Sequence, residues 1–393
     1  MVEKYFPQDE YEARWERVHA EMTRRGIETA VVWSRSAGSY DRAADVLYLA
    51  NYYSPETGPD TLKWRAQGYY AVILQPDETP ELVADNTEIR SEHIATPRIA
   101  RYDDPIAGVA ERLMARGVAG EVALVGADVL TVKYWHELKA ATPAIAWVEI
   151  DDLIRIPRRI KSPRELGCLR EGGRIGSAAL DVMMKALVVG KPEREAVGDA
   201  VRELYRQGGA GSYITANHGE TIGHWAREPL LGRSADGAEP GDFVRGWMDS
   251  IYQGYWFDHG RTAVAGGRPT PAQQALIDDC ARIVEGIIAA IYPGVTNTAV
   301  AEIGEALIAE VDGAGGAMAE MFPVFAHGIG LYWEYPYVGR QAAPAEETIE
   351  ANMAMGVEYF LSRDGVGTVG IEQNFIVGAQ ANELITYLPI QGW

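Results

Sequence analysis

His327 stands in the run Phe325-Ala326-His327-Gly328-Ile329-Gly330-Leu331-Tyr332-Trp333-Glu334-Tyr335-Pro336, an imidazole followed by two glycines and then by aromatic residues. The glycines let the backbone pass close to a neighbour, and clustered aromatics have no reason to sit in an ordinary turn. Three acidic residues elsewhere, Asp258, Glu358 and Glu372, complement the imidazole. One histidine among carboxylates is a ligand set for a divalent metal held on mixed nitrogen and oxygen donors. Glu358 lies inside the apolar run Met353-Ala354-Met355-Gly356-Val357-Glu358-Tyr359-Phe360, where an unpaired charge is costly. Taken singly, His327 also fits a structural turn, Asp258 an ion pair with Arg261, and Glu372 a pair with a surface lysine. None of these explains the four together.

The elements that must position these residues can be read from the same chain. Tyr11, Trp15, Val18 and Met22 fall at helical spacing and Gly26 closes the segment. Short β-type runs follow at 29–33, 69–74, 81–84, 99–102 and 122–125, with helical stretches near 107–116 and 132–141. Strands alternating with helices predict an α/β N-terminal domain over 1–152. The basic connection 153–161 carries Pro157, and Ser162-Pro163-Arg164-Glu165 is a helix start that opens a second domain, 162–393. That domain repeats in outline: helix, Pro/Gly turn, helix, glycine-rich tail, strands, once over 163–262 and again from Pro271. A pseudo-two-fold arrangement follows, with one curved sheet backed by helices. Three of the four candidate ligands, Asp258, Glu358 and Glu372, fall in β-type runs of this sheet.

The 393 residues carry a formal net charge of −20, which argues against nucleic acid or an anionic membrane as a partner and for a small-molecule substrate. Cys168 and Cys280 lie in apolar helical patterns with no metal or disulfide spacing. With no apolar leader and no spanning stretch, a cytoplasmic protein is expected.

The runs Gly254-Tyr255-Trp256-Phe257-Asp258-His259-Gly260-Arg261-Thr262, His327-Gly328-Ile329-Gly330-Leu331, Gly356-Val357-Glu358 and Gly370-Ile371-Glu372 occur in the order seen in the creatinase, prolidase and methionine aminopeptidase family, which the chain resembles over nearly its whole length. The resemblance implies the pita-bread fold, α+β in class, for the second domain, and a homodimer. It also implies a five-ligand site for two metals, in which Asp258, His327, Glu358 and Glu372 match four. The remaining aspartate belongs eleven residues before Asp258, where Trp247 stands. A single divalent metal, manganese, iron or zinc, is therefore expected, with Asp249 as a substitute fifth ligand should the strand carry an irregularity. Metal-free catalysis by histidine and glutamate, as in creatinase itself, is the variant in which no cofactor is needed.

A second departure concerns activity. Proline-cleaving members place a His-Glu pair before the proline, whereas here the run is one residue shorter and Trp333 stands where a polar residue is expected. The shortened form is similar to the dimethylsulfoniopropionate lyase branch, whose acidic base would also fall at Trp333. The family's catalytic histidine has two candidates, His218 and His224, of which His224 lies nearer the expected position. Trp247, Tyr332 and Trp333 are expected to line a substrate pocket suited to a cationic or aryl group, with Glu358 and His224 handling protons, and Arg261 or Arg340 anchoring a carboxylate. The expectation is a creatinase-like metal-dependent hydrolase or lyase of a small, betaine-like substrate. The alternatives are an Xaa-Pro dipeptidase or aminopeptidase, and a non-catalytic binding protein on the same fold.

Overall fold

The computed structural model describes residues 6–36, 43–54, 61, 65–86, 91–223, 234–311, 323–339 and 346–393. The chain divides into two compact units, one ending at Arg158 and the other covering Arg159–Trp393.

The N-terminal unit holds helices α1 (Gln8–Arg25), α2 (Ala44–Ala50), α3 (Pro105–Ala115), α4 (Val132–Ala141) and α5 (Asp152–Arg159), and strands β1 (Ala30–Arg35), β2 (Tyr69–Leu74), β3 (Glu81–Asp85), β4 (Arg98–Tyr102), β5 (Gly120–Val125) and β6 (Ile145–Glu149). The strands form one mixed sheet in the order β4-β3-β2-β1-β5-β6. Val31, Trp33, Ala71, Ile73 and Leu124 share a core with Val109 and Leu113 of α3 and Leu138 of α4. The α/β class is as expected. Most of the basic connection 153–161 is the helix α5, which carries Pro157 inside it.

The C-terminal unit starts with α6 (Pro163–Val188) and α7 (Glu193–Arg206), continues through β7 (Ala210–His218), β8 (Phe243–Tyr252) and β9 (Tyr255–Val264), and begins again with α8 (Pro271–Ala290) and α9 (Asn297–Ala309). Strands β10 (Val324–Ile329), β11 (Trp333–Gly339), β12 (Ala354–Arg363), β13 (Gly367–Ile376) and the short β14 (Glu383–Leu384) complete it. Both halves open on the same device: Ser162 and Thr270 each cap a helix through a capping box, with Glu165 and Gln273 as partners and Pro163 and Pro271 in the first turn.

The sheet runs β11-β10-β12-β13-β9-β8-β7, with β14 on β13, so the two halves meet where β9 pairs with β13. Ala216, Val244, Met248 and Ala263 pack under α6 and α7. Val357, Tyr359, Leu361, Val369 and Ile371 pack under α8 and α9. Because side chains alternate across a strand, the residues between these point to the other, concave face. That face carries Asp249, Asp258, Glu358 and Glu372. No helix among the described residues is long and apolar enough to cross a membrane.

Candidate metal centre

The β8–β9 hairpin closes on the two-residue turn Gln253-Gly254, both with positive φ, at 50° and 86°. From that turn the register runs back through Tyr252↔Tyr255 to Asp249↔Asp258, so the two aspartates face each other directly. In the other half, Glu358 faces Glu372 across β12 and β13 in the same way. The seam β9–β13 pairs Glu372 with Gly260 and brings the two acid pairs side by side. His327 enters from β10, paired with Gly356.

One oxygen each of Asp258 and Glu372 and one ring nitrogen of His327 lie within 4.8 Å of one another. His327 Nε2 is 3.8 Å from Glu372 Oε1 and 4.0 Å from Glu358 Oε1. His327 Nδ1 lies 3.1 Å from the carbonyl oxygen of Gly328, which can only accept, so Nδ1 carries the proton and Nε2 presents its lone pair. Burial lowers the imidazole pKa and keeps it neutral, the state a metal ligand requires.

All four carboxylates are buried. Burial first, and neighbouring carboxylates second, hold Asp249, Glu358 and Glu372 well above the ordinary carboxylate range. Glu372 Oε2 and His327 Nε2 are buried with no hydrogen-bond partner among the described residues. Orphaned acceptors among crowded acids are satisfied together by a divalent cation, so the donor set fits a metal.

The surrounding residues fix this arrangement. Asn374 receives the Asp258 backbone N–H on Oδ1 at 2.9 Å and points Nδ2 toward Glu372 Oε1 at 3.4 Å. Glu334 is buried and paired with Lys161 at 2.7 Å, and it accepts the Leu331 N–H at 3.2 Å. A Cβ on Gly330 would come within 2.3 Å of that carboxylate, which explains the second glycine after His327. Beside His327 the edge strand β11 lines up Trp333 and Tyr337, with ring centroids 5.3 and 6.3 Å from the imidazole. Tyr332 stacks on Trp333 at 6.0 Å, and both are half-buried.

Several expected assignments change. Trp247 is not a wall of open pocket: it is 1% exposed and donates its Nε1–H to Asp258 Oδ1 at 3.0 Å. It shares the concave face with Asp249, two residues on, and Asp249 rather than Trp247 faces Asp258. Arg261 cannot anchor a substrate, because its buried guanidinium donates to the carbonyls of Gly260, Glu372, Leu388 and Pro389 and to Gln373 Oε1. Burial pushes its pKa down to about 9. His218 pairs with Val244 and turns to the helix side, where Nδ1 meets Glu193 Oε1 at 2.6 Å. His224 and Arg340 lie outside the described residues. Sequence reasoning missed the Lys161–Glu334 pair and the roles of Asn374 and Trp247; the turn at Gln253-Gly254 was the available signal for Asp249.

The family model of metallopeptidase family M24 matches residues 167–379, and that of the creatinase/prolidase N-terminal domain matches residues 14–160. An uncharacterised peptidase of Staphylococcus saprophyticus is 28% identical over 67% of this chain and 73% of its own length. An Xaa-Pro dipeptidase of Pyrococcus horikoshii is 26% identical over 64% of this chain and 69% of its own. Among solved structures, an Xaa-Pro dipeptidase from Bacillus anthracis superposes with a TM-score of 0.77 at 22% identity, covering 96% of this chain and 98% of that one. A dipeptidase from Mycobacterium ulcerans gives 0.78 at 22% identity, with 98% of both chains covered. The pita-bread sheet, the buried acid pairs and both family matches lead to one assignment: the chain is a member of metallopeptidase family M24 and carries the creatinase/prolidase N-terminal domain ahead of its catalytic fold.

Proposed function

We propose that the protein is a two-metal dipeptidase that hydrolyses short peptides of the Xaa-Pro type. The observation that carries this reading is the register setting Asp249 against Asp258, which makes a five-residue donor set with His327, Glu358 and Glu372. The names of relatives support the same reaction class, since those at 26% identity include Xaa-Pro dipeptidases. When bound, two divalent ions supply Lewis acidity toward a peptide carbonyl and lower the pKa of an attacking water. The chain's own part is placement and proton handling. His327 stays neutral and presents Nε2. Glu358, on the concave face beside it, takes the proton released on attack and returns it to the leaving nitrogen. Trp333, Tyr332 and Tyr337 wall the His327 side against the substrate's side group.

Purified protein loaded with manganese is expected to cleave Ala-Pro or Leu-Pro and to hold about two ions per chain. Asp249→Asn is expected to lower this to about one ion and to remove most of the activity. Fully loaded protein inert toward every dipeptide tried would overturn the reading.

A second reading, a creatinase-like hydrolase of a small cationic substrate, is favoured by the aromatic row at His327, where each ring offers a cation ~0.5 to 2 kcal/mol. Turnover of a guanidino or betaine-type compound, with no turnover of dipeptides, would select it.

A further inference from the structure

We infer that Trp247 is a positioning residue of the metal centre, its indole N–H fixing the orientation in which Asp258 meets the metal. The inference rests on the reading of Asp258 as a ligand, given above. Trp247 lies on β8 two residues before Asp249, and its Nε1–H donates to Asp258 Oδ1 at 3.0 Å in a fully buried setting. An indole nitrogen can only donate, so the bond engages one lone pair of Oδ1 and leaves the second, and both on Oδ2, for a cation. Rotation of the carboxylate would break this bond between two buried groups.

The ring is held as firmly as the bond. The residue opposite Trp247 is Gly260, and a Cβ there would lie 1.9 Å from Trp247 Cε3. Gly370, on the neighbouring β13, would put a Cβ 3.2 Å from Trp247 Cζ3. At the far side the indole stacks on Phe360, centroids 4.8 Å apart and planes 25° from parallel. The ring therefore lies across β9 and β13 in a slot that two glycines keep open, with no freedom to swing away from Asp258.

The other half of the sheet carries a counterpart. There Asn374 faces Gly356, a Cβ on Gly356 would lie 3.0 Å from Asn374 Nδ2, and that nitrogen points at Glu372 Oε1. In both halves an N–H donor lies over an opposed glycine and addresses an acid of the adjoining pair. Such a repeat is hard to explain as packing alone, since packing does not require an N–H aimed at a ligand oxygen. Groups that hold ligand side chains typically change metal affinity by about 10- to 100-fold when lost.

The test is calorimetric titration of metal-free protein with manganese. It compares the parent chain, Trp247→Phe, and a chain with 3-benzothienylalanine placed at position 247, which keeps the ring's size and replaces the N–H by sulfur. The expected result is affinity weakened about 10- to 100-fold in both altered chains, with the benzothienyl chain still unfolding cooperatively in urea with chelator present. Unchanged affinity in the benzothienyl chain would overturn the inference and leave Trp247 as packing, whether or not Trp247→Phe folds. A parent that binds no manganese would instead overturn the metal reading on which the inference stands.

Discussion

In the β8–β9 hairpin the opposed acids are Asp249 and Asp258, and in the β12–β13 hairpin they are Glu358 and Glu372. Each pair has its donor-over-glycine neighbour, but the strands exchange roles. In the first half the donor, Trp247, is on the outer strand and the glycine, Gly260, on the inner. In the second the glycine, Gly356, is on the outer strand and the donor, Asn374, on the inner. The next strand out differs more: β10 sets His327 against Gly356, whereas β7 sets Thr215 against Trp247. One backbone lattice thus offers two equivalent places for a ligand beyond the acids, and only one of them holds an imidazole. Among the described residues, the difference assigns the nitrogen donor to one side and leaves the side of Asp249 to carboxylates.

The strongest way to break this comparison is to alter the two outer positions in parallel. His327→Ala removes the nitrogen donor, and dipeptide hydrolysis is expected to fall by about three orders of magnitude or more, the several kcal/mol a metal contributes to a transition state. Thr215→Ala, at the equivalent place, is expected to change the rate by less than about threefold, since its hydroxyl is buried with no hydrogen-bond partner among the described residues. Equal losses in kcat/KM from both would mean that Thr215 also serves the site and that the halves are less different than their residues.

Proton competition sharpens the same picture at an intermediate scale. Metal-free, Asp249, Glu358 and Glu372 keep their protons above the ordinary carboxylate range, burial being the main cause in each. An unfolded chain releases those protons near pH 4. Between that pH and the raised folded values the native state binds more protons, so stability contributed by these groups is present below about pH 4 and is lost as pH rises. With metal bound the cation takes the protons' place and the loss disappears. Urea midpoints measured with chelator and with manganese are therefore expected to diverge as pH rises above about 5. A constant gap would mean that metal binding displaces no protons. Taking the difference between the two conditions also cancels the repulsion of the chain's net charge of −20.

Much of this was legible in the residues. Asp258, Glu358 and Glu372 stood out because each interrupts a β-type run, and His327 because glycines follow it. The three acids fell in β-type runs of one sheet, and the Ser162 start located the first helix of the unit. Asp249 was harder for a physical reason. Positions 247 and 249 share a face, so alternation cannot choose between them, and counting eleven residues from Asp258 selects Trp247. Only the length of the turn decides, and Gln253-Gly254 is a two-residue turn that puts Asp249 opposite Asp258. A hairpin of fixed parity can shorten by two residues without turning any side chain to the other face, so the ligand moves along the strand and leaves no break in the pattern. Of the two histidine candidates, His218 is the less favoured one, and its face is set by pairing with β8, which the local sequence does not report.

The smallest effects separate the two glycines. A Cβ added at Gly260 meets the flat body of Trp247 at 1.9 Å, and that ring is wedged against Phe360. A Cβ added at Gly356 meets the ends of two side chains, Glu372 Oε1 at 2.8 Å and Asn374 Nδ2 at 3.0 Å, a less severe overlap. Gly260→Ala is therefore expected to cost about 1 to 3 kcal/mol in urea unfolding of metal-free protein, and Gly356→Ala about half of that or less. The order should reverse for manganese affinity relative to the stability lost. Gly356→Ala displaces Glu372 directly and crowds His327 Cε1 at 3.3 Å, whereas Gly260→Ala reaches the ligands only through the indole. Should Gly260→Ala prove the milder change in unfolding, the ring is not wedged, and the firm hold on Asp258 would have to come from the hydrogen bond alone.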